Sequence, residues 1–284
     1  MAVLLKGAPA AAAITENLKA RTDALRSRGV IPCLAILRVG ERPDDSAYER
    51  NAKKRCEKAG IDVREYHLPE DCGKEALLAA VREINEDPAV HGCLMMRPLP
   101  DREAEQLACE LLAPEKDVDC MTPRSMASLF MGKGPGFPPC TAEACVALLD
   151  HYGIAIEGKR AVVVGRSLVI GKPVSLLLQN RNATVTMCHT RTRDLPAVCR
   201  EAEILVAAAG KAGLLTAEHC APGQTVVDVG IHVLPDGSLT GDVCAEAAAE
   251  TAAFLTPVPG GVGAVTTAVL ARHVTEAAEK RDAR

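Results

Sequence analysis

The chain has 284 residues, 48% of them hydrophobic and 25% charged, with a formal net charge of −4. That length and balance suit one large or two medium α/β domains around a packed core. Aromatics at 2%, no Trp and no long basic run argue against a nucleic-acid partner, and no apolar stretch approaches the roughly 20 residues that a membrane span needs.

Residues 1–6 are too short for a signal-peptide core, so a cytoplasmic compartment is expected. Residues 9–28 are Ala- and Leu-rich, with Pro9 in the first turn and Gly29 as a stop, which predicts a helix. An apolar run over 31–39 predicts a buried strand. Pro43, Asp44, Asp45 and Ser46 supply a helix start for the pattern at 46–59, and strands follow at 61–68 and 91–96. Helices are predicted at Gly73–Glu86 and 102–112. Between 117 and 139 the composition turns to Gly, Pro and Met, which predicts a loop-rich hinge. A helix at 142–152 leads into a second alternation. It comprises strand Arg160–Val164, helix 171–181, strand Thr184–Cys188, helix 195–202 and strands 204–208 and 225–229. A Pro/Gly loop at 256–263 precedes a last helix at 265–279. Alternation of this kind implies parallel sheets covered by helices. The fold class is therefore α/β and two-lobed, an N-terminal parallel-sheet α/β domain followed by a Rossmann-type domain, with a cleft between them where a small ligand binds.

Twelve cysteines are scattered along the chain, with no Cys-x-x-Cys anywhere. Cys140 and Cys145 have no His close in sequence to complete a zinc set, so buried thiols are expected and no metal.

One segment carries chemistry. The apolar strand Arg160–Val164 runs into Gly165-Arg166-Ser167, and Gly171 opens a helix. Glycine lets the backbone approach a pyrophosphate, and the helix start offers free N–H groups and a partial positive charge. The spacing is Gly-x5-Gly rather than Gly-x-Gly-x-x-Gly, so its placement between strand and helix matters more than the motif. The next strand ends in Cys188-His189-Thr190-Arg191-Thr192, where an NAD site would present an acid to the ribose. No acid is present, and Arg191 suits a 2′-phosphate, which points to NADP. His189, Thr190 and Ile231 complete the cofactor-binding candidates.

These motifs, with Thr256-Pro257-Val258-Pro259-Gly260-Gly261-Val262-Gly263, Lys116-Asp117-Val118-Asp119, Pro139-Cys140-Thr141 and Ser46-x-Tyr48, occur in order over nearly the whole chain. The chain resembles the methylenetetrahydrofolate dehydrogenase/methenyltetrahydrofolate cyclohydrolase family. The resemblance implies hydride transfer from 5,10-methylenetetrahydrofolate to NADP⁺, then hydrolysis of the methenyl product to 10-formyltetrahydrofolate. It implies tetrahydrofolate derivatives as partners and a homodimer. The N-terminal domain, 1–140, is completed by the C-terminal helix at about 265–284, and 141–264 forms the NADP domain. Tyr48 matches the tyrosine beside the pterin, Asp119 the aspartate that bonds the pterin ring, and Pro259, Gly260, Gly261 and Val262 the folate-pocket loop. Asp119 also suits the task chemically, since a carboxylate accepts paired N–H bonds.

The chain departs from the family at its catalytic positions. The pattern Tyr-x-x-x-Lys puts both side chains on one helix face, but Ala52 stands at the lysine position and Met96 at the position of the glutamine that partners it. Cys120 replaces a glycine and Ala264 a proline. Lys53, Arg55 and Arg97 are the candidate substitutes. Hydride transfer needs no strong protein acid or base, whereas hydrolysis needs an activated water. The dehydrogenase is therefore expected to survive and the cyclohydrolase to be weak, absent or rebuilt. A shikimate-dehydrogenase-like enzyme and a non-catalytic folate or nucleotide sensor are the alternatives.

Overall fold

The structure is a computed structural model that describes residues 1–283; the side chain of Asp44 and residue 284 fall outside the description. In chain order it contains β1 (Val3–Leu4), α1 (Gly7–Ser27), β2 (Cys33–Val39), α2 (Pro43–Ala59), β3 (Asp62–Leu68), α3 (Gly73–Glu86), β4 (Gly92–Met95), α4 (Arg102–Leu111), α5 (Pro123–Met131) and α6 (Cys140–His151). Then come β5 (Arg160–Val164), α7 (Gly171–Asn180), β6 (Thr184–Cys188), α8 (Leu195–Arg200), β7 (Ile204–Ala207), β8 (Thr225–Asp228), β9 (His232–Val233), β10 (Leu239–Thr240), α9 (Ala245–Thr251), β11 (Phe254–Leu255) and α10 (Gly263–Asp282).

The chain divides into two compact units, Met1–Ala11 with Thr141–Thr266, and Ala12–Cys140 with Thr267–Arg284. The first eleven residues thus fall with the later half of the chain rather than with the N-terminal domain. The reason is β1, which pairs parallel with β11 through Val3↔Phe254 and Leu4↔Leu255. A two-residue strand has no periodicity of its own, so only its distant partner defines it. The last residue of the expected 265–284 helix lies outside the described residues.

The 12–140 unit holds the sheet β3-β2-β4, parallel throughout. β2 is central and buried along its whole length, as its unbroken apolar run requires. α3 and α4 supply Leu77, Val81, Ile84, Ala104 and Ala108 to the core beneath it. α2 begins at Pro43, behind an Arg42 that makes no side-chain cap, rather than at the expected residue 46. The expected hinge is also corrected: the 117–139 segment contains α5. Thr122 caps it by accepting from Ser125 N, and Gly132 ends it in the left-handed region. The Gly, Pro and Met content of the segment conceals a helix that its two caps define.

The other unit carries a six-stranded sheet in the order β1-β11-β8-β7-β5-β6. From β5 the chain crosses to β6 on one side and then returns to β7 on the other. The strand order reverses at β5, and in open α/β sheets that switch point, at the carboxyl ends of the strands, is where ligands bind.

Candidate active site

β5 ends at Val164, which is in register with Cys188 of β6 and Ala207 of β7. Gly165 N donates to Cys188 O (2.9 Å) and Ala208 N donates to Val164 O (2.8 Å), so the ladder closes around the turn. Gly165 has φ 134°, and a Cβ there would strike the Ala208 carbonyl. A Cβ at Gly171 would strike the Gly165 carbonyl. Both glycines are therefore fixed by close backbone packing.

The expectation of free N–H groups at the start of α7 is corrected. Ser167 Oγ accepts from Ile170 N (3.1 Å) and Gly171 N (3.3 Å). Lys172 N donates to Ser167 O (3.0 Å), and Pro173 has no N–H to offer. The first N–H groups of α7 are thus taken. What the turn leaves for an anion is the helix field, the exposed Arg166 side chain and the backbone N–H groups of residues 166–169, which have no acceptor among the described residues.

Beyond β6, His189 N donates to Thr192 Oγ1 (2.9 Å), Thr192 N to His189 O (2.9 Å) and Arg191 N to His189 Nδ1 (3.1 Å). This tight turn leaves Thr190 and Arg191 exposed. Among the described residues neither Arg166 nor Arg191 has an ion-pair partner. The two arginines follow registered residues of adjacent strands, with no carboxylate at either strand end.

Two buried aspartates, missed in the sequence, organise the neighbouring loops. Asp242 accepts from Ala209 N (2.5 Å), Gly210 N (3.0 Å) and Lys211 N (3.0 Å), and its Oδ1 lies 2.7 Å from His232 Nε2. Asp228 accepts from Gly230 N, Asp242 N and Val243 N, each at 3.0 Å. Burial pushes the Asp228 carboxyl up to about 6 against these three donors. The pair fixes the ends of β7 and β8, and Ile231, in the short link from β8 to β9, stands exposed. Asp228 N also donates to Thr256 Oγ1 (2.7 Å), which ties in the start of the 256–263 loop. In that loop Gly7 N donates to Gly260 O (2.7 Å); Pro259 and Gly260 are exposed, while Gly261 and Val262 are buried.

In the 12–140 unit, Tyr48 stands on α2, partly buried. Its phenol is held well above the usual range, first by burial and then by the charge of Asp119 and the thiols of Cys140 and Cys56. Asp119 accepts from Cys140 N (2.8 Å). Burial raises its carboxyl, while Cys140 and the Arg97 charge pull it down. Tyr48, Asp119, Cys140 and Arg97 are thus within electrostatic reach of one another. Ala52 and Met96 are both buried, at 0% and 5% exposure, so the positions where the resemblance expects lysine and glutamine hold packed apolar side chains. The three substitutes differ. Lys53 Nζ is 2.5 Å from Glu65 Oε1 and 3.7 Å from Glu49 Oε1, on a partly exposed face. Arg55 Nη1 donates to Thr15 Oγ1 (2.8 Å), its Nε is 3.5 Å from Thr267 Oγ1, and burial lowers the pKa of its guanidinium. Arg97 alone has a charge that acts on Asp119; its Nη1 is 3.8 Å from Glu105 Oε1.

Glu49, Glu65 and His67 approach one another closely enough for a cation, but Lys53 and Arg38 already pair with the carboxylates. This is an ion-pair net.

Two family models match. One, described as the tetrahydrofolate dehydrogenase/cyclohydrolase catalytic domain, covers residues 5–119, and the other, its NAD(P)-binding domain, covers residues 139–282. The chain belongs to the tetrahydrofolate dehydrogenase/cyclohydrolase family. It is 48% identical over 277 residues to the bifunctional protein FolD of Alkaliphilus oremlandii, covering 98% of this chain and 97% of that one. It is similar to the FolD crystal structure from Campylobacter jejuni (TM-score 0.94, 39% identity, 99% and 100% of the two chains). A second similar structure is the dehydrogenase-cyclohydrolase of Trypanosoma brucei, complexed with NADP cofactor and inhibitor (TM-score 0.91, 37% identity, 100% and 99% of the two chains). Shikimate dehydrogenase from Aquifex aeolicus, at TM-score 0.51 and 12% identity, shares the fold alone.

Two positions where the resemblance expects glycine and proline, Cys120 and Ala264, differ in what the backbone asks of them. Ala264 N donates to Gly261 O (3.1 Å), a bond that a proline cannot make. Cys120, at a glycine position, has φ 56°, in the left-handed region that costs a side chain about 1–2 kcal/mol.

Substituting Gly165→Ala brings a side chain against the Ala208 carbonyl and forces the turn open. Dinucleotide affinity, measured by fluorescence titration, is expected to fall about tenfold or more. Unchanged affinity would show that the turn does not touch the cofactor.

Proposed function

We propose that this chain oxidises 5,10-methylenetetrahydrofolate to the 5,10-methenyl form with NADP⁺ as acceptor. In this reading it hydrolyses the methenyl product more slowly than relatives that carry the catalytic lysine. Membership of the family over nearly the full length supports the substrate. The observation that carries the cofactor is the pair of unpaired, exposed arginines, Arg166 and Arg191, at adjacent strand ends with no acid beside them.

NADP⁺, when bound, accepts the hydride. In this reading Arg191 holds the 2′-phosphate by charge-assisted hydrogen bonds, Arg166 attracts the pyrophosphate, and Gly165 admits its close approach. Ser167, Gly171, His189 and Thr190 shape that pocket, and Ile231 offers an apolar contact. Asp119 accepts N–H bonds from the pterin edge, with Cys140 N holding one carboxylate oxygen from behind. Tyr48 keeps its proton, because burial and the Asp119 charge both oppose its loss, and packs beside the pterin as a neutral ring. The 259–262 loop completes the folate pocket. At Ala52 and Met96 no donor or base exists to position water, which limits hydrolysis.

The domains in this reading are 12–140 with the last helix, and 141–264 with residues 1–11. The working assembly is a homodimer, supported by the family resemblance. The compartment is the cytoplasm; all twelve cysteines are free thiols, which suits reducing conditions.

Three measurements test this reading. An assay that follows NADPH and methenyltetrahydrofolate together is expected to show methenyl product accumulating. Ala52→Lys with Met96→Gln should then raise hydrolysis by roughly 10²–10⁴-fold while leaving NADPH formation within a few-fold. Fast hydrolysis in the unmodified chain with no gain in the double variant overturns it. Accumulation of neither product, with tight NADP or folate binding, selects the sensor.

Arg191→Ala should raise KM for NADP⁺ by about ten- to a hundredfold and leave NAD⁺ kinetics nearly unchanged, since one charge-assisted contact contributes about 1.5–3 kcal/mol. An equal loss with both cofactors would remove Arg191 from the 2′-phosphate.

Folate binding should also follow the ionisation of Asp119. Burial raises its carboxyl, so binding to the carboxylate weakens as pH falls through a value above the ordinary one. Arg97→Leu removes the charge that lowers it, so the acid limb of kcat/KM should move to higher pH. An unmoved limb would separate Arg97 from Asp119.

A further inference from the structure

The 12–140 unit contains a second feature, a cavity of about 670 Å³ lined by residues that include His91, Glu115, Lys116, Phe137, Lys280 and Arg281. Its size is typical of small-ligand pockets. It opens at the other end of the sheet from Tyr48 and Asp119. His91 precedes β4 and Arg97 follows it. Cys93 bridges Asp117 in parallel, so Lys116 falls at the amino end of β4 and Asp119 toward its carboxyl end.

Positive charge converges on this cavity. Lys116 Nζ donates to the carbonyls of Ile84 (2.6 Å), Asn85 (2.9 Å) and Asp87 (2.7 Å), which hold it in place without supplying a counter-charge. Lys280 Nζ sits 4.1 Å above the centre of the Phe137 ring. Arg281 has no ion-pair partner among the described residues. Burial first, and then the Arg281 charge, lowers both the Lys116 ammonium and the His91 imidazole.

The surrounding acids have ion-pair partners of their own, although the Asp87 charge still reaches Lys116 and His91. Asp87 pairs with Arg64, Glu279 with Arg21 and Asp282 with Arg28. Glu115, exposed at the rim, is the one lining acid. Like charges gathered this way cost free energy that a bound anion would relieve.

We propose that this cavity binds a small polyanion bearing phosphoryl or carboxylate groups, gripped by Arg281 and Lys280 in the fixed positive field of Lys116. A guanidinium fork matches the paired oxygens of either group. The Phe137 ring is stacked on His273 at 4.8 Å and covered by Lys280, so recognition rests on charge rather than on stacking.

Calorimetric titration of the full chain with tripolyphosphate and with citrate tests this. Ionic strength is held constant and NADP is kept saturating, so that the arginines of the dinucleotide turn are occupied. A separate NADP titration tests that turn and keeps the two readings apart. Saturable binding of either anion is expected; tripolyphosphate alone would identify phosphoryl chemistry and citrate alone carboxylate chemistry. Lys280→Ala with Arg281→Ala should weaken binding about tenfold or more, and Glu115→Gln should tighten it about two- to threefold. All three positions are exposed, so the variants should melt near the parent temperature without ligand. No saturable binding at saturating NADP, or equal affinity in the double variant, overturns the proposal.

Discussion

Much of the dinucleotide unit depends on two backbone segments that touch without room for a side chain. The chain leaves β5 at Gly165, turns against the carbonyl of Ala208, and packs Gly171 onto Gly165 itself. Ala208 can press so closely only because the residues after it are held. Asp242 takes the N–H groups of Ala209, Gly210 and Lys211, and Asp228 in turn takes the N–H of Asp242. Each buried carboxylate spends its lone pairs on loop backbone, where an unpaired N–H would cost about 1–3 kcal/mol. The glycines and the aspartates are therefore one construction: steric room on one side of the crevice and hydrogen-bonded rigidity on the other.

The other unit solves a similar problem with the segment Lys116 to Cys120. The Lys116 ammonium ties down three carbonyls around the end of α3. Asp117, fully buried, accepts from Met121 N (2.8 Å) and Thr122 N (2.7 Å). With both neighbours consumed by structure, Asp119 is the acid left partly open, braced by Cys140 N. Burial and the neighbouring Arg97 act on that carboxyl in opposite directions, so its ionisation is set by packing and charge together.

The departures at Ala52 and Met96 have a physical logic. A lysine without its glutamine, or the reverse, would leave a polar group buried without a partner. Two apolar residues at these buried positions avoid that cost. Among the nearby cations, Lys53 is drawn to Glu65 and Arg55 is held by threonine hydroxyls, which leaves Arg97 as the charge that acts on the Asp119 region.

The sequence by itself determined what depends on local pattern. The alternation of strand and helix follows from the period of apolar residues, and β2, α3, β5 and β6 stand within two residues of their predicted bounds. The glycine turn, the missing acid after β6 and the alanine in place of lysine are facts of composition at fixed spacing, and they named the family. Tertiary structure decided what depends on distant partners. It placed residues 1–11 beside β11, showed that Ser167 consumes the N–H groups expected to be free, and found α5 inside a segment that reads as loop. It paired Asp228 with Asp242 across 14 residues and gathered Lys116, Lys280 and Arg281 around one cavity from opposite ends of the chain. A side chain's type can be read in the sequence; which charge it meets, and whether its hydrogen bonds are already spent, is fixed only when the chain is packed.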